Sequence, residues 1–216
     1  PLSLYVHLPF CNTICYYCAC NKIITKDKSR ADVYLDYLAQ EIPRQSALFS
    51  QPRHLAQLHL GGGTPTFLGD VQLSRVMELI YQDFPRLPDG EYSIEIDPRK
   101  VSADTVALLA QLGFNRMSLG VQDFDPKVQQ AVNRLQSEAE TLAVLEAARQ
   151  SGFRSISIDL IYGLPHQNLR SFAQTLEKVI AANPDRLAVY NYAILPHIFP
   201  PHRRFFPMIY RRPVIN

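Results

Sequence analysis

Four short runs of this 216-residue chain alternate strictly between polar and apolar residues. Ser93, Glu95 and Asp97 oppose Ile94 and Ile96, and Ser155, Ser157 and Asp159 oppose Ile156, Ile158 and Leu160. Arg116, Ser118 and Gln122 oppose Met117, Leu119 and Val121, while Tyr5 and His7 oppose Val6 and Leu8. A period of two is that of a β-strand with one face turned to each environment. Parallel strands covered on both faces read instead as continuous Val, Ile and Leu. These runs therefore predict strands that bury one face under helices and turn a polar face toward a shared interior. Solvent-facing strands of an antiparallel protein are the alternative, and the long helical connections weaken it.

Six strand-like runs, near 2–8, 55–60, 91–97, 115–122, 154–160 and 186–193, alternate with helix-like runs. The first helix takes Ser29 as N-cap with Asp32 three residues on, and Pro43 is expected to end or kink it. The second, near 70–82, places Leu73, Val76, Met77 and Ile80 on one face. The third runs from Ser102 to Gly113, and the fourth from a Ser137/Glu140 capping box to Gly152. The fifth, about 169–182, buries Phe172, Leu176 and Val179. Strand and helix in repeated succession mean right-handed crossovers and a parallel sheet. Six units fall short of the eight of a closed barrel. An α/β fold is expected: a partial (β/α)6 barrel with a polar interior face, against a doubly wound sheet.

All four cysteines fall in one stretch, Cys11-x3-Cys15-x2-Cys18-x-Cys20. Disulfides fit poorly, because no leader marks a secreted chain and such spacings bridge badly. Zinc is the serious competitor, yet zinc sites usually join two separate knuckles or add distant histidines. An iron–sulfur cluster suits a single loop better, since closely spaced thiolates can clasp one cube. The x3 and x2 spacings supply three ligands, leaving one iron open and Cys20 spare. The remaining composition, 47% hydrophobic and 19% charged with net charge +2, is that of an ordinary soluble domain. No run of 18 apolar residues and no charged-then-apolar leader occurs, so neither membrane span nor signal peptide is expected. Nothing in the charge pattern argues for nucleic acid. The chain opens on Pro1 rather than Met, which suggests a segment of a longer product.

The cysteine spacing after a first barrel strand resembles the radical S-adenosylmethionine (SAM) enzymes. More narrowly, "YVHLPFC", "CYYCACNK", "HLGGGTPTFL", "SIEIDPR", "NRMSLGVQDF", "SIDLIYGLP" and "AVYNYAILP" resemble the oxygen-independent coproporphyrinogen III oxidases, from about Leu2 to Phe199. Cys20 leans the same way, because the haem-chaperone relatives of that family typically lack the C-x-C ending.

The resemblance implies that Cys11, Cys15 and Cys18 ligate a [4Fe–4S] cluster whose open iron is chelated by SAM. It implies that Gly62 and Gly63 of the glycine run contact the amino-acid end of SAM and that Tyr5 contacts the first SAM. Glu95, at the carboxyl end of its strand, is a natural acceptor for a SAM ribose or amino group. A second SAM would meet Tyr17, Gly63, Thr64, Gln122, Arg134, Asp159 and Ala193. From the residues alone, Gln122 and Asp159 lie on inward strand ends, where ligands collect. Arg134, in a helical stretch, reads as solvated surface. His7 shares the inward face with Tyr5 and is expected to be catalytic, with a structural histidine as the alternative. Cys20 is given a substrate-side or proton-donating role, with an inert thiol as its alternative.

The implied reaction turns two propionates of coproporphyrinogen III into vinyl groups, giving protoporphyrinogen IX in the haem pathway. The 5′-deoxyadenosyl radical would take a hydrogen from the propionate β-carbon, and carbon dioxide and one electron would leave. An electron donor and an electron acceptor are implied as partners, in the cytoplasm, with the protein a monomer. A haem-chaperone relative, a zinc-binding module and an inactive truncated fragment are the competing readings. Residues 1–198 are assigned to the catalytic domain. The tail 199–216, with four prolines after Phe199 and no acid, looks unlike the substrate-covering domain that follows in the family. Its simplest form is an ordinary disordered end.

Overall fold

The computed structural model describes residues 1–51 and 53–205. In chain order the elements begin with β1 (Leu2–Leu8), β2 (Phe10–Cys11), β3 (Ile23–Ile24), α1 (Ser29–Ser46) and β4 (Leu55–Gly62). They continue with α2 (Asp70–Asp83), β5 (Arg86–Ile96), α3 (Ala103–Gln111), β6 (Arg116–Gln122) and α4 (Pro126–Ala131). The last are α5 (Glu138–Gln150), β7 (Ser155–Tyr162), α6 (Leu169–Ala181) and β8 (Arg186–Asn191). Six strands form one sheet in the order β1-β4-β5-β6-β7-β8, every pair parallel. A doubly wound sheet would place its first strand inside the sheet. Here β1 is an edge and each strand lies beside the next, which is the winding of a partial barrel.

The period of two survives intact. Along β6 and β7 every second residue is buried, and Ile94, Met117, Leu119, Ile156 and Ile158 are each at most 2% exposed. They meet Leu73, Val76, Met77 and Ile80 of α2, Val106 and Leu109 of α3, and Leu145 and Ala148 of α5 in one core. Burying each such side chain contributes about 1.5–3 kcal/mol. The polar partners, Ser93, Glu95, Ser118, Ser157 and Asp159, remain half-exposed on the inner face.

The expected caps form at Ser102, whose hydroxyl accepts from Thr105 N at 3.2 Å, and at Ser137. There the Ser137 hydroxyl accepts from Glu140 N at 3.1 Å while Glu140 Oε2 accepts from Ser137 N at 2.8 Å. Ser29 differs from its expected role. It is the first helical residue rather than the cap, and its N–H and hydroxyl both donate to the Asp27 carboxylate. Pro43 neither ends α1 nor leaves its own carbonyl idle, since the helix runs on to Ser46 and Ala47 N donates to Pro43 O at 2.9 Å. A proline removes only its own N–H, three residues from the end. β5 starts earlier than the pattern suggests, because residues 87–90 bulge out between the Leu55–Arg86 and Gln57–Glu91 pairings. On α6, Val179 is buried, while Phe172 and Leu176 pack partly exposed against the core.

Candidate metal and cofactor site

The carboxyl ends of β4 to β7 and the cysteine loop enclose a cavity of about 430 Å³. The loop is a closed one. β2 and β3 pair Phe10 with Ile23 and Cys11 with Ile24, so it leaves and rejoins the same two-rung ladder. Tyr16 N donates to Val132 O at 2.9 Å, and Asn133 Nδ2 donates to Ile14 O at 2.7 Å. Lys22 Nζ gathers the carbonyls of Cys18 at 2.8 Å and Cys20 at 3.1 Å.

Cys11, Cys15, Cys18 and Cys20 all line this cavity as free thiols. Each of the first three sulfurs meets a group suited to a thiolate. Thr64 Oγ1 donates to Cys11 Sγ at 3.5 Å, and Arg134 Nη1 and Arg99 Nη2 stand 3.6 and 3.9 Å from Cys15 Sγ. The neighbouring Cys20 side chain, ahead of the Lys22 charge, pulls the Cys18 pKa down to about 6, and the Cys20 thiol is itself pushed up. Burial raises the Cys11 thiol against the opposing pull of Thr64. Among the described residues no three His, Cys, Asp or Glu side chains converge on one metal ion. A cluster asks for a different spacing, because each thiolate takes its own iron.

Opposite the thiols stand three strand-end carboxylates. Glu95 accepts from Gly62 N at 3.2 Å and meets His59 Nε2 at 3.2 Å, while Ser93 holds the other ring nitrogen at 2.6 Å. Both Asp159 oxygens lie 2.7 Å from Ser118 Oγ, and burial raises its pKa. Asp97 grips Arg99 through both oxygens and lies 3.5 Å from Arg134. Burial works against the Asp97 charge, but the Arg99 hydrogen bonds and the two guanidinium charges outweigh it and hold the carboxyl low. Arg134 is 7% exposed, donates to Gly120 O at 2.6 Å and keeps a buried Nε without a partner. The surface reading of Arg134 is thereby corrected: the turn after α4 folds it under the cavity floor. Gln122 ends β6 with φ +69°, just past a register shift, and lines the same cavity.

Two glycines are required by contact. Gly62 has φ +116°, and a Cβ there would lie 2.7 Å from the His7 ring. A Cβ on Gly63 would lie 2.7 Å from the Phe10 carbonyl oxygen. Gly62→Ala is accordingly expected to lose about 1–3 kcal/mol from backbone strain and displacement of His7. Urea unfolding of the two proteins measures it, and an unchanged midpoint would contradict the contact.

Of the residues singled out from sequence, Cys11, Cys15, Cys18, Cys20, Tyr17, Gly62, Gly63, Thr64, Glu95, Gln122, Arg134 and Asp159 share this cavity. Tyr5 instead lines a second interior space of about 590 Å³, beyond the Ser118–Asp159 pair, and stacks on His59 with ring centres 5.7 Å apart. His7 borders neither space. Tyr5 OH meets its Nδ1 at 3.0 Å and Asn21 O its Nε2 at 2.9 Å. Ala193 lies two residues past β8 and borders neither space. Sequence reasoning missed Arg99, Ser118 and Lys22 as site residues, and it took Asp97 only as an inward strand residue. The signal for Asp97 and Arg99 was the strand-ending Asp-Pro-Arg, where a proline turn lets the carboxylate reach the arginine two residues on.

The sequence pattern of the radical SAM superfamily matches residues 5–179, and this chain belongs to that superfamily. The particular likeness is to the oxygen-independent coproporphyrinogen III oxidases. It is 56% identical over 206 residues to the enzyme of that name from Pseudomonas aeruginosa, covering 94% of this chain and 45% of that one. It is 54% identical over 204 residues to the Escherichia coli enzyme, covering 94% and 44%. The solved coproporphyrinogen III oxidase from Escherichia coli superposes with a TM-score of 0.91 over 94% of this chain and 47% of that one. Methylornithine synthase, 14% identical with a TM-score of 0.61 over 88% of this chain and 53% of that one, shares the fold alone. The chain spans less than half the length of the curated relatives it matches. No helix among the described residues is long and apolar enough to cross a membrane.

Proposed function

We propose that residues 1–198 form the radical-generating domain of an oxygen-independent coproporphyrinogen III oxidase. The observation that carries this reading is one cavity holding three loop cysteines opposite a close-packed glycine strand end and inward carboxylates. Cys11, Cys15 and Cys18 hold the [4Fe–4S] cluster in this reading, with Thr64, Arg99 and Arg134 facing the sulfurs. When bound, cluster and SAM supply the 5′-deoxyadenosyl radical. The chain's own residues bind and aim. The bare Gly62–Gly63 backbone admits the amino-acid end of SAM, and Glu95, fixed by His59 and Gly62 N, offers its free lone pairs to an amino or hydroxyl group. Tyr5 supports that SAM from the barrel interior. Tyr17, Gly63, Thr64, Gln122, Arg134 and Asp159 make the contacts of a second SAM in this reading, and Ala193, which borders neither space, joins them on the family resemblance alone.

Two propionates of coproporphyrinogen III become vinyl groups, each losing a hydrogen atom, carbon dioxide and one electron. That electron needs an external acceptor, and cluster reduction needs a donor. In this reading Cys20 acts on the substrate side, and His7 braces the Tyr5 hydroxyl. The protein works as a cytoplasmic monomer, with the substrate-covering portion lying outside this chain. The test is anaerobic reconstitution with iron and sulfide, reduction, and addition of SAM with and without coproporphyrinogen III. The expected result is 5′-deoxyadenosine from this chain, with protoporphyrinogen IX formed once the substrate-covering portion is joined to it. A chain that takes up zinc and shows no four-iron spectrum would overturn the reading.

A further inference from the structure

The segment after Phe199 does more than trail from the barrel. Residues Pro200–Arg204 form a 3-10 turn that returns to the cysteine loop, while residues 206–216 lie outside the described ones. His202, in this turn, is fully buried. Leu195 N–H donates to its Nδ1 at 3.1 Å, so the ring proton sits on Nε2, which donates to the Tyr17 carbonyl at 3.1 Å. Tyr192 presents its ring to the imidazole at 5.4 Å. Phe205, 3% exposed, joins Val128, Val132 and Leu164 in a small core on which Tyr16 and Tyr17 pack. The Arg204 guanidinium lies over the Tyr16 ring, 4.2 Å from its centre.

Tyr17 stands between Cys15 and Cys18, and the Tyr16–Tyr17 segment is held at two points. Val132 O takes the N–H of Tyr16, and His202 takes the carbonyl of Tyr17. We infer that His202 is a positioning residue for the cysteine loop, clamping its Tyr16–Tyr17 segment so that Cys15 and Cys18 face the cavity together. The clamp rests on the proposed ligand role of those cysteines, but the order it imposes does not.

The full chain is compared with His202→Ala and His202→Gln. Glutamine carries a donor and an acceptor on one amide and can serve both Leu195 N–H and Tyr17 O. In the metal-free proteins, amide hydrogen exchange across residues 15–20 is expected to speed up about tenfold in the alanine variant, the scale of one lost bond to a buried carbonyl. Exchange in β6 and α5 should stay unchanged, and glutamine should restore most of the protection. In reconstituted protein, iron should pass to a chelator several-fold faster from the alanine variant alone. Unchanged loop exchange in His202→Ala, or loop and core accelerating together, overturns the inference. A wild-type chain that takes up no cluster would sink the proposed function, and the exchange data would still judge His202.

Discussion

Serine in place of Cys11, Cys15 or Cys18 is expected to bring bound iron and sulfide down to background after reconstitution and to abolish SAM cleavage. A hydroxyl is a far weaker ligand than a thiolate for iron, and each of these cysteines would serve a separate iron. Cys20→Ser tests the division of labour in the loop. It should retain the cluster, since the proposed ligand set is complete with Cys11, Cys15 and Cys18 and leaves Cys20 spare. Iron and sulfide analysis with the visible absorption of the cluster reads all four variants. A Cys15→Ser protein that kept its four-iron signal would show that the ligands are wrongly assigned, and a Cys20→Ser protein that lost it would make Cys20 a ligand.

Asp97→Ala should destabilise the fold by about 3–5 kcal/mol, because it leaves the buried guanidiniums of Arg99 and Arg134 without their carboxylate. The side chains are only 11%, 16% and 9% exposed, so bulk water screens the uncovered charges poorly. Such a loss is a large share of a typical domain's stability. Asp97→Asn gives the pH test. The carboxyl of the folded protein titrates below its unfolded value, so its contribution is fully present above about pH 4 and fades as the pH falls further. The stability gap between wild type and Asp97→Asn, from urea unfolding, should therefore narrow on acidification below that point. Arg99, Arg134, Tyr17 and Cys15 are the charged or titratable groups around it. A gap that stayed constant to acid pH would mean that the carboxylate charge is not what the arginines bind.

What was legible in the sequence was whatever repeats with a period. The alternating runs at 93–97, 116–122 and 155–160 gave strand, inward face and site residues together, because a strand end on a polar face has nowhere to point but the cavity. The capping box at Ser137 was legible for the same reason, as a local pattern satisfied by local atoms. Features set by tertiary contact were not. Six-residue α4 is too short to show a helical period, and Arg134 beyond it is buried only because the turn folds beneath Gly120. The bulge at 87–90 and the hydrogen bonding of Ser29 to Asp27 likewise depend on single neighbours. The docking of His202 on Tyr17 joins residues 185 apart, beyond any local pattern.

The strand order carries a consequence for how the chain comes to be folded. Each strand after the first adds to one already in place, so the sheet can lengthen in the order of synthesis, one rung at a time. From β4 on, no sheet strand waits for a partner still to be made, and few wrong pairings compete. The cysteine loop hangs from the first strand, yet its walls arrive with β4 to β7 and its clamp arrives last. The four cysteines thus leave the ribosome early and lie open until the end of this stretch is made, so a cluster bound by them would enter a site whose walls are complete only late.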